Sequence, residues 1–414
     1  MTSLPDMEVA DLEVADVEVA IVGGGVAGAT LALLLVQRAR IDPPRILLIE
    51  PEPVQAPAAG SAYDLRVVAI SPGNRQLLTQ AGAWQAMDQG RVIAYERMAV
   101  WHQSIPPDSP DVLRFDAAEL GEPDLGSIVE NRNLQAALLG RCAGEGIGLR
   151  KARLAGLECD AAQARITLDD GEVRAQLVVG ADGAHSAVRR LAGIDVQARS
   201  YGQQGIVATV RSERSHQHTA WQRFLDTGPL ALLPLSSGEC SIVWSARDAR
   251  AEQLIAMNDA EFGAALTDAS AGVLGRLEPV GARAAFPLRR LAAARYASMR
   301  CALIGDAAHV IHPLAGQGAN EGLQDAAALA QALEARPHRE SAGAERALLR
   351  YSRERRAGNG LMASMVDGLD SLFTGSPPAV AGLATAGMAL VGRSHAARRL
   401  FFTQAAAGRS WPHR

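Results

Sequence analysis

The clearest chemical pattern in the sequence is a set of three glycines with the spacing G-x-G-x-x-G: Gly23, Gly25 and Gly28. They follow an apolar run that predicts a buried strand over residues 17–22, and they precede a predicted helix over about 29–38. A glycine turn lets the backbone approach a pyrophosphate, and the N–H groups of a helix start, here near Val26 and Ala27, favour an anion. The pattern predicts a dinucleotide site, with a glycine-rich packing turn as the alternative.

A carboxylate stands where such a site requires one. Glu50 directly follows a second predicted strand, over residues 45–49. An acidic side chain about 20 residues after the glycine turn accepts hydrogen bonds from the ribose hydroxyls of a dinucleotide. The strand, turn, helix, strand and carboxylate occur in the order of a dinucleotide-binding unit, which favours that reading over a packing turn.

A second glycine-rich stretch lies at residues 300–330. A predicted apolar strand over 301–304 ends at Gly305 and Asp306, and a loop then leads to a helix from about Asn320. The Asp306 carboxylate can accept hydrogen bonds from sugar-type hydroxyls, and the loop glycines let the backbone touch a flat ligand. The residues assigned this role are Pro313, Gly316, Gln317 and Gly318 of the loop, with Asn320 at the helix start as a further cofactor contact. The stretch predicts a site for a polyhydroxylated, electron-accepting cofactor.

These motifs, taken together, resemble those of a known family. GDAAH followed by HPLAGQG and a helix, with a GADG run followed by Ser186 and Arg189, is similar to the FAD motifs of flavin-dependent aromatic hydroxylases. The similarity is strongest to the ubiquinone-biosynthesis hydroxylases, and the matching motifs cover nearly the whole chain. The resemblance implies an α/β fold of the para-hydroxybenzoate-hydroxylase type. Such a fold has a Rossmann-like FAD-binding domain, an interleaved antiparallel-sheet substrate domain and C-terminal helices.

The resemblance also implies further FAD contacts. Arg66 precedes a short apolar run, Arg132 lies at a predicted helix start, and Asp182 follows a predicted hairpin over residues 164–180. The family places an FAD contact at both arginines, with a surface charge as the alternative for each, and it places Asp182 near the pyrophosphate. Asp182 can at the same time cap the turn that it begins. The helix after Arg132 is predicted to be capped by one of two asparagines, Asn131 or Asn133.

The reaction that the resemblance implies needs three small molecules besides the substrate. Hydride from NADH or NADPH reduces bound FAD, O2 adds at the flavin C4a position, and OH passes to the ring of a polyprenylated phenol on the route to ubiquinone. No metal is required. His312 can titrate near neutral pH, so a contact with the ring is one candidate role and packing is the other. A same-fold monooxygenase of a soluble aromatic and a flavin-binding scaffold of the quinone-synthesis complex are the alternative functions.

The elements that position these residues are predicted to form two interleaved domains and two terminal regions. From Tyr201 onward, alternating segments that carry aromatic residues predict antiparallel strands, and by resemblance this sheet roofs the flavin. Trp221, Arg223 and Phe224 are the candidates for the substrate lining, although only about half of a strand faces one side. The predicted regions are an acidic tail (1–16), the FAD-binding domain (17–80, 126–200 and 295–345), the substrate domain (81–125 and 201–294) and C-terminal helices (346–414).

Composition and charge limit the function classes. The chain has 414 residues, 48% of them apolar and 21% charged, which is typical of a soluble globular protein. A net charge of −4 without a basic stripe argues against a nucleic-acid partner. The four cysteines are scattered, as in a reducing compartment. The acidic start is unlike the basic start of a signal peptide, so we predict a cytoplasmic protein.

Two uncharged segments raise the question of a membrane. Residues 19–36 are long enough to span a bilayer, but three consecutive glycines favour a buried strand, turn and helix. Residues 376–392 predict either a packed terminal helix or an interfacial one. The long apolar tail of the implied substrate predicts peripheral contact with the inner face of the cytoplasmic membrane, or transfer within a quinone-biosynthesis complex.

Overall fold

The structure is a computed structural model that describes residues 15–312, 317–337, 339–374 and 378–406. Its strands are β1 (Ala15–Val22), β2 (Ile46–Ile49), β3 (Val67–Ile70), β4 (Val92–Tyr95), β5 (Arg97–His102), β6 (Leu113–Asp116), β7 (Gly126–Glu130), β8 (Gly148–Arg150), β9 (Leu154–Cys159), β10 (Ala164–Leu168), β11 (Gly171–Gly180), β12 (Val196–Ser212), β13 (Thr219–Leu225), β14 (Gly228–Pro234), β15 (Cys240–Arg247), β16 (Leu277–Ala293), β17 (Ala297–Ser298), β18 (Cys301–Leu303) and β19 (His309–Val310).

Its helices are α1 (Val26–Gln37), α2 (Pro72–Gln80), α3 (Ala117–Leu120), α4 (Asn131–Gly144), α5 (Ala187–Leu191), α6 (Asp248–Ala256), α7 (Asp259–Ala269), α8 (Gln317–Glu334), α9 (Glu345–Phe373), α10 (Pro378–Arg393) and α11 (His395–Ala406). Three short 3-10 turns occur at Pro43–Arg45, Gln89–Arg91 and Gly305–Ala307.

A mostly parallel sheet forms the first layer, in the strand order β17-β18-β11-β1-β2-β8, with only β17 antiparallel to its neighbour in this order. β1 pairs in parallel with both β11 and β2, while the predicted hairpin of β10 and β11 adds antiparallel strands at one side. The strand residues Val19, Ala20 and Ile21 are fully buried, as expected for a sheet covered on both faces. The α/β prediction is therefore confirmed.

The uncharged segment 19–36 forms the end of β1, the glycine turn and most of α1, as the sequence predicts. Within the described ranges, no helix is long and apolar enough to cross a membrane. The first helix begins at Val26, three residues earlier than predicted, because Gly25 already has the extended conformation of an N-cap.

A second, antiparallel sheet has the order β19-β16-β12-β15-β14-β13-β5-β6. One pair departs from this pattern, because β13 and β5 run parallel. One face of the sheet packs against α6 and α7 through Ile206, Trp244 and Phe262. The opposite face turns toward the glycine loops. The alternation predicted after Tyr201 thus gives the sheet two different faces.

A small sheet, β3-β7-β4, connects the two larger ones. The segment 81–125, predicted as one part of the substrate domain, is divided by the structure: β4 joins this small sheet, whereas β5 and β6 join the antiparallel sheet. Ser71 caps α2 by accepting a hydrogen bond from the backbone N–H of Asn74 at 3.4 Å.

The C-terminal helices differ from the sequence pattern, which predicts one helix over about residues 342–373 and a second over about 379–402. The first helix begins at Glu345, and the second is in fact two helices, α10 and α11. The helix breaks at Ser394, whose hydroxyl oxygen accepts the backbone N–H of Ala397 at 3.2 Å and caps α11. This capping serine, between Arg393 and His395, is a sequence signal for a helix start that was not used in the prediction.

Helix α9 is fixed to the antiparallel sheet by an aromatic contact and a charged one. The Phe373 ring stacks on Phe224 with 4.5 Å between ring centroids. Asp367 accepts hydrogen bonds from the Tyr201 hydroxyl and from Arg290 of the sheet, each at 2.5 Å. The helix therefore belongs to the same folded unit as the sheet.

Phe373→Ala is expected to lower the free energy of unfolding by about 3–5 kcal/mol, because the change empties a buried aromatic site. The side chain is only 1% exposed. Leu361→Ala is the matched control on the same helix: that side chain is 59% exposed, and its loss should change stability by less than about 0.5 kcal/mol. Urea unfolding of both variants measures the difference, and equal effects would contradict the packing described.

Candidate active site

Two glycines of the first turn, Gly23 and Gly28, leave no space for a side chain. Gly23 has φ +107°, and a Cβ there would lie 2.3 Å from the carbonyl oxygen of Ala181. A Cβ on Gly28 would lie 2.0 Å from the carbonyl oxygen of Gly23. The ends of β1 and β11 and the start of α1 therefore meet at backbone distance, which only glycine permits.

Gly25 has the opposite surroundings, since an added Cβ would meet no atom within 4 Å. Gly25, Val26 and Ala27 all line a cavity of about 690 Å³. In the part of the chain that the structure describes, no side chain caps the start of α1. The first N–H groups of this helix are thus available to an anionic ligand at the cavity wall.

Glu50 lies beside the turn and is already held in place. Its carboxylate accepts the backbone N–H of Gly24 at 2.8 Å and that of Glu52 at 3.1 Å. The side chain is half-buried and lies outside the cavity lining. Its remaining lone pairs can still accept hydrogen bonds from a ribose placed over the turn.

The second glycine turn lies against the first. Gly305 has φ +59°, and a Cβ on it would lie 3.4 Å from the Cβ of Ala27 in α1. Gly305, Asp306 and Gly318 line the same cavity as Gly25. The fold therefore brings together two motifs that are far apart in the sequence.

A buried charged cluster, formed by Asp325, His309 and Arg355, holds the second turn. Asp325 is 0% exposed and accepts the backbone N–H of Gly305 at 2.9 Å, the His309 Nε2 at 2.6 Å and the Arg355 Nε at 2.6 Å. Arg355 also donates to Glu321 at 2.7 Å. The turn is thereby tied to both α8 and α9.

Burial and charge act against each other within this cluster. Burial alone would raise the pKa of Asp325, but the positive charges of His309 and Arg355 lower it to about 2. Burial likewise disfavours the charged form of His309, yet the Asp325 carboxylate raises the pKa of that histidine above its usual range. The arrangement is a buried ion pair extended by hydrogen bonds. Sequence analysis assigned His309 no specific role and did not single out Asp325 or Arg355.

The segment from Asp182 to Arg189 is held by hydrogen bonds within itself and by one hydrogen bond to the second glycine turn. The Asp182 carboxylate accepts the Ser186 hydroxyl at 2.5 Å and the backbone N–H of Ala187 at 2.7 Å, which caps α5. Arg189 donates to the Ala307 carbonyl at 2.7 Å. The structure thus shows the capping role expected of Asp182, and its place near the pyrophosphate stays a prediction. The neighbours of Asp182 at residues 181 and 183 line the cavity.

The remaining predicted FAD contacts are placed differently from one another. Arg66 lines the cavity. Arg132 is exposed, and its Nε donates to the Gln55 carbonyl at 2.7 Å. The Asn320 side chain accepts the Ser71 N–H at 3.0 Å and donates to the Ala69 carbonyl at 2.7 Å, so it fixes α8 against β3.

Helix α4, which contains Arg132, begins without an asparagine cap. Its N-cap is Glu130, which makes no side-chain capping bond in the described part of the chain. Of the two predicted caps, Asn133 instead exchanges hydrogen bonds with the backbone of Asp88, at 3.0 and 3.1 Å. The other, Asn131, lines the cavity. The prediction of an asparagine cap was wrong, because Asn131 is already the first residue of the helix and the Asn133 side chain makes a tertiary contact.

The flavin-ring loop is described only in part. Pro313 and Gly316 lie outside the described residues, and Gln317 is described as the first residue of α8 without its side chain. His312 is fully buried, with its Nε2 3.1 Å from the Gln203 side-chain oxygen and its ring edge-on to Tyr201. Burial lowers the pKa of His312, which favours the neutral imidazole.

The three substrate candidates lie on different faces of β13. The Trp221 ring packs against Trp101 on the side of α6 and α7, although the residue also lines the cavity. Arg223 lies outside the cavity lining, and its guanidinium donates to the carbonyls of Asp268 and Ala269 at the end of α7. Phe224 packs on Phe373.

Several cavity residues were not predicted from sequence. Asn131 and Gln135 lie four residues apart in α4 and both line the cavity. That spacing places them on one helix face, which is a signal the sequence contained. Gln222 and Ser245, on two strands of the antiparallel sheet, also line it. Their contribution depends on which sheet face turns inward, and only the tertiary structure decides that.

These residues fit FAD. A first glycine turn with no space for Cβ atoms at Gly23 and Gly28, a second turn with positive φ at Gly305, an uncapped helix start and a carboxylate beside it suit a dinucleotide. A cavity connects both turns to the antiparallel sheet. The fold and the site together define a flavin-dependent oxidoreductase.

Comparison with known proteins agrees and is more specific. The sequence pattern of the FAD binding domain family matches residues 16–363, and the chain belongs to this family of FAD-dependent monooxygenases. It is 39% identical to the ubiquinone hydroxylase UbiL of Rhodospirillum rubrum over 388 residues, covering 92% of this chain and 87% of the relative.

Two further relatives have related names. The chain is 39% identical to the 3-demethoxyubiquinol 3-hydroxylase of Escherichia coli over 356 residues, covering 85% of this chain and 88% of that protein. It is 34% identical to the mouse ubiquinone biosynthesis monooxygenase COQ6 over 413 residues, covering 88% and 86%. The predicted family is therefore confirmed.

A solved structure supports the fold. The p-nitrophenol 4-monooxygenase PnpA of Pseudomonas putida DLL-E4 superposes with a TM-score of 0.74 at 19% identity, covering 96% of this chain and 100% of that one. At this identity the likeness concerns the fold alone.

Gly28→Ala is expected to weaken FAD binding at least about tenfold, because the new Cβ would collide with the Gly23 carbonyl and displace the turn. Gly140→Ala is the matched control. In α4 its Cβ would meet no atom within 4 Å, so the change should leave FAD affinity unaltered and raise stability by about 0.5–1 kcal/mol. Flavin fluorescence titration of the apoproteins measures affinity, and wild-type affinity in Gly28→Ala would contradict the argument.

His309→Gln is expected to change how stability depends on pH. The pKa of His309 is raised in the folded protein, so its charge stabilises the fold fully below the unfolded pKa of about 6.5. That stabilisation is lost as pH rises through the folded-state pKa. Urea unfolding of both proteins should show the wild-type advantage at its full size below about pH 6.5 and shrinking as the pH rises above that value. The exposed His185→Gln variant should follow the wild type, and a pH-independent advantage would refute the ion pair.

Proposed function

We propose that this protein hydroxylates the aromatic ring of a polyprenylated phenol in ubiquinone biosynthesis, with bound FAD and with NADH or NADPH and O2 as co-substrates. The observation that carries the proposal is the extent of the sequence similarity. The similarity to three enzymes named for ubiquinone hydroxylation or biosynthesis covers 85–92% of this chain, so it includes the glycine turns and the antiparallel sheet alike.

The roles of the chain's own residues follow from their places. The start of α1 and Arg66 would hold the pyrophosphate, Glu50 a ribose, and Asp306 the hydroxyls of the linking chain. When bound, FAD supplies the two-electron chemistry and the reaction with O2. The protein supplies position, because the buried Asp325 fixes the turn at Gly305, and it excludes water with an apolar wall.

The start of α8 would act on the charge of the flavin. Its first residues, Gly318 and Ala319, line the cavity. The positive end of a helix dipole favours a nearby negative charge by roughly 0.3–2 kcal/mol, which would stabilise a reduced, anionic ring. Glu321, in the first turns of the same helix, lies outside the cavity lining and pairs with Arg355 at 2.7 Å. Its charge is thus partly neutralised away from the ligand.

The cavity suits a substrate that is mostly apolar. Its wall on the antiparallel sheet includes Val207, Leu233, Val243 and Phe286. Burial of such a surface against an isoprenoid chain is favourable in proportion to the apolar area removed from water. An aromatic ring with a prenyl tail meets these requirements better than a small charged phenol does.

Peripheral contact with a membrane is part of the proposal, because a long polyprenyl tail is carried by lipid. Four large apolar side chains of α9 follow one another at helical spacing and are exposed: Leu361, Met365, Leu369 and Leu372. Such a stripe can enter the boundary between headgroups and acyl chains. This feature favours contact along α9 rather than insertion of a spanning helix.

The test is an absorbance spectrum of the purified protein followed by NADH or NADPH addition in air, with and without a short-chain prenylphenol. We expect flavin absorbance, nucleotide oxidation stimulated by the phenol, and a product heavier by one oxygen atom. Flavin without stimulated oxidation would support a scaffold, and stimulation only by phenols without a prenyl chain would support a soluble substrate. Protein that takes up no FAD would refute the proposal.

A further inference from the structure

One polar side chain in the cavity wall has no partner of its own. Gln222 of β13 is 7% exposed and lines the cavity beneath the antiparallel sheet. Among the described residues, its side-chain amide makes no hydrogen bond within 3.5 Å. The amide atoms of Gln222 are open to the cavity, so a ligand there can take up their hydrogen bonds.

The register of the sheet places this amide in an apolar surrounding. Gln222 pairs with Ala231 of β14, which pairs with Val243 of β15, and all three line the cavity. Because side chains alternate, the adjacent residues Trp221 and Arg223 point their side chains toward α6 and α7 instead. Gln222 is therefore the polar member of a row of small and apolar side chains.

A second polar group stands in the same wall at a different level. Ser245 of β15 is buried and lines the cavity two residues beyond Val243, on the same face. Ser245 pairs with Gly205 of β12, whereas Val243 pairs with Val207, so Ser245 lies one cross-strand row away from Gln222. The other cavity residues of β13, β14 and β15 are apolar: Ala220, Trp221, Pro229, Ala231, Leu233 and Val243.

We propose that Gln222 is a specificity-determining residue that hydrogen-bonds to the ring oxygen of the phenolic substrate. This inference rests on the proposed function and adds the group that orients the ring. A primary amide offers both an acceptor and donors, so its oxygen accepts the phenol hydroxyl while its nitrogen can donate to an oxygen on the neighbouring ring carbon. Because the other polar group of this wall, Ser245, lies one row away, the contact with Gln222 decides which edge of the ring approaches the flavin.

A polar anchor of this kind favours oxygenated rings over unoxygenated ones. A site that presents a buried hydrogen-bonding group rejects an analogue that lacks the matching group, because the protein's own group is then left unpaired. Apolar contacts alone distinguish such analogues weakly. We therefore expect Gln222 to select ligands that carry the phenol hydroxyl. We expect other residues to recognise the prenyl chain.

The experiment compares two ligands in two forms of the FAD-loaded enzyme. The ligands are a phenol carrying one five-carbon prenyl chain and the corresponding prenylbenzene without the hydroxyl, titrated against the oxidised flavin spectrum. We expect the wild type to prefer the phenol by on the order of tenfold and Gln222→Met to lose this preference, with its FAD affinity unchanged. Methionine is apolar and close to glutamine in shape; Gln222→Leu is the second variant should that protein fail to fold.

Arg223→Met is the matched control, one residue away on the other face of the strand. It removes hydrogen bonds to the carbonyls of Asp268, Ala269 and Gln103, so the midpoint of thermal unfolding should fall while the preference for the phenol persists. An unchanged preference in both Gln222 variants would overturn the inference and leave the proposed function intact.

Two other outcomes separate the remaining possibilities. If the Gln222 variants lose FAD affinity and keep the preference for the phenol, the amide contacts the cofactor and the inference is wrong. If the wild type binds neither ligand, the proposed function fails and the inference fails with it.

Discussion

The buried carboxylate of Asp325 is the interaction on which the rest of the site depends. It accepts the backbone N–H of Gly305 and is paired with His309 and Arg355, so one side chain joins the second glycine turn to α8 and α9. A charge with no exposed surface is tolerable only with such partners, because without them the buried carboxylate would be uncompensated. The position of a ligand-facing turn is therefore set by electrostatics behind it, outside the cavity.

The two glycine turns illustrate why the cofactor site needs the whole fold. Gly305 approaches Ala27 of α1, and Gly23 approaches Ala181 after β11. Each close approach joins segments that are distant in sequence, and the parallel pairings of β1, β11 and β18 bring them to one edge of the sheet. The N–H groups of the α1 start and the Asp306 carboxylate then face one cavity, as expected at the carboxyl ends of parallel strands.

The antiparallel sheet divides two functions between its faces. The face with Ile206 and Trp244 packs against α6 and α7, including Phe262 of α7, and forms a hydrophobic core. The other face, with Gln222 and Ser245, forms a cavity wall. Arg223 is next to the cavity residue Gln222 in the sequence, but its guanidinium donates hydrogen bonds to carbonyls at the end of α7. Adjacent residues in a strand serve unrelated roles.

The sequence by itself determined the cofactor class and the order of the elements. The spacing of Gly23, Gly25 and Gly28, the carboxylate of Glu50 and the Gly305-Asp306 turn are local patterns, and local patterns follow from steric rules that act over a few residues. The same holds for the strand, turn and helix over residues 19–36 and for the hairpin of β10 and β11. Those predictions needed no knowledge of distant contacts.

Only the tertiary structure decided which side chains meet. The partnership of Asp325 with Arg355, the use of Asn320 and Asn133 in packing, and the inward face of β13 all depend on segments that are far apart in the chain. Period-two alternation separates Gln222 from Trp221 and Arg223, but it does not say which set faces the ligand, because either face of an isolated strand can be buried. That choice is made when α6 and α7 cover one face and leave the other to the cavity.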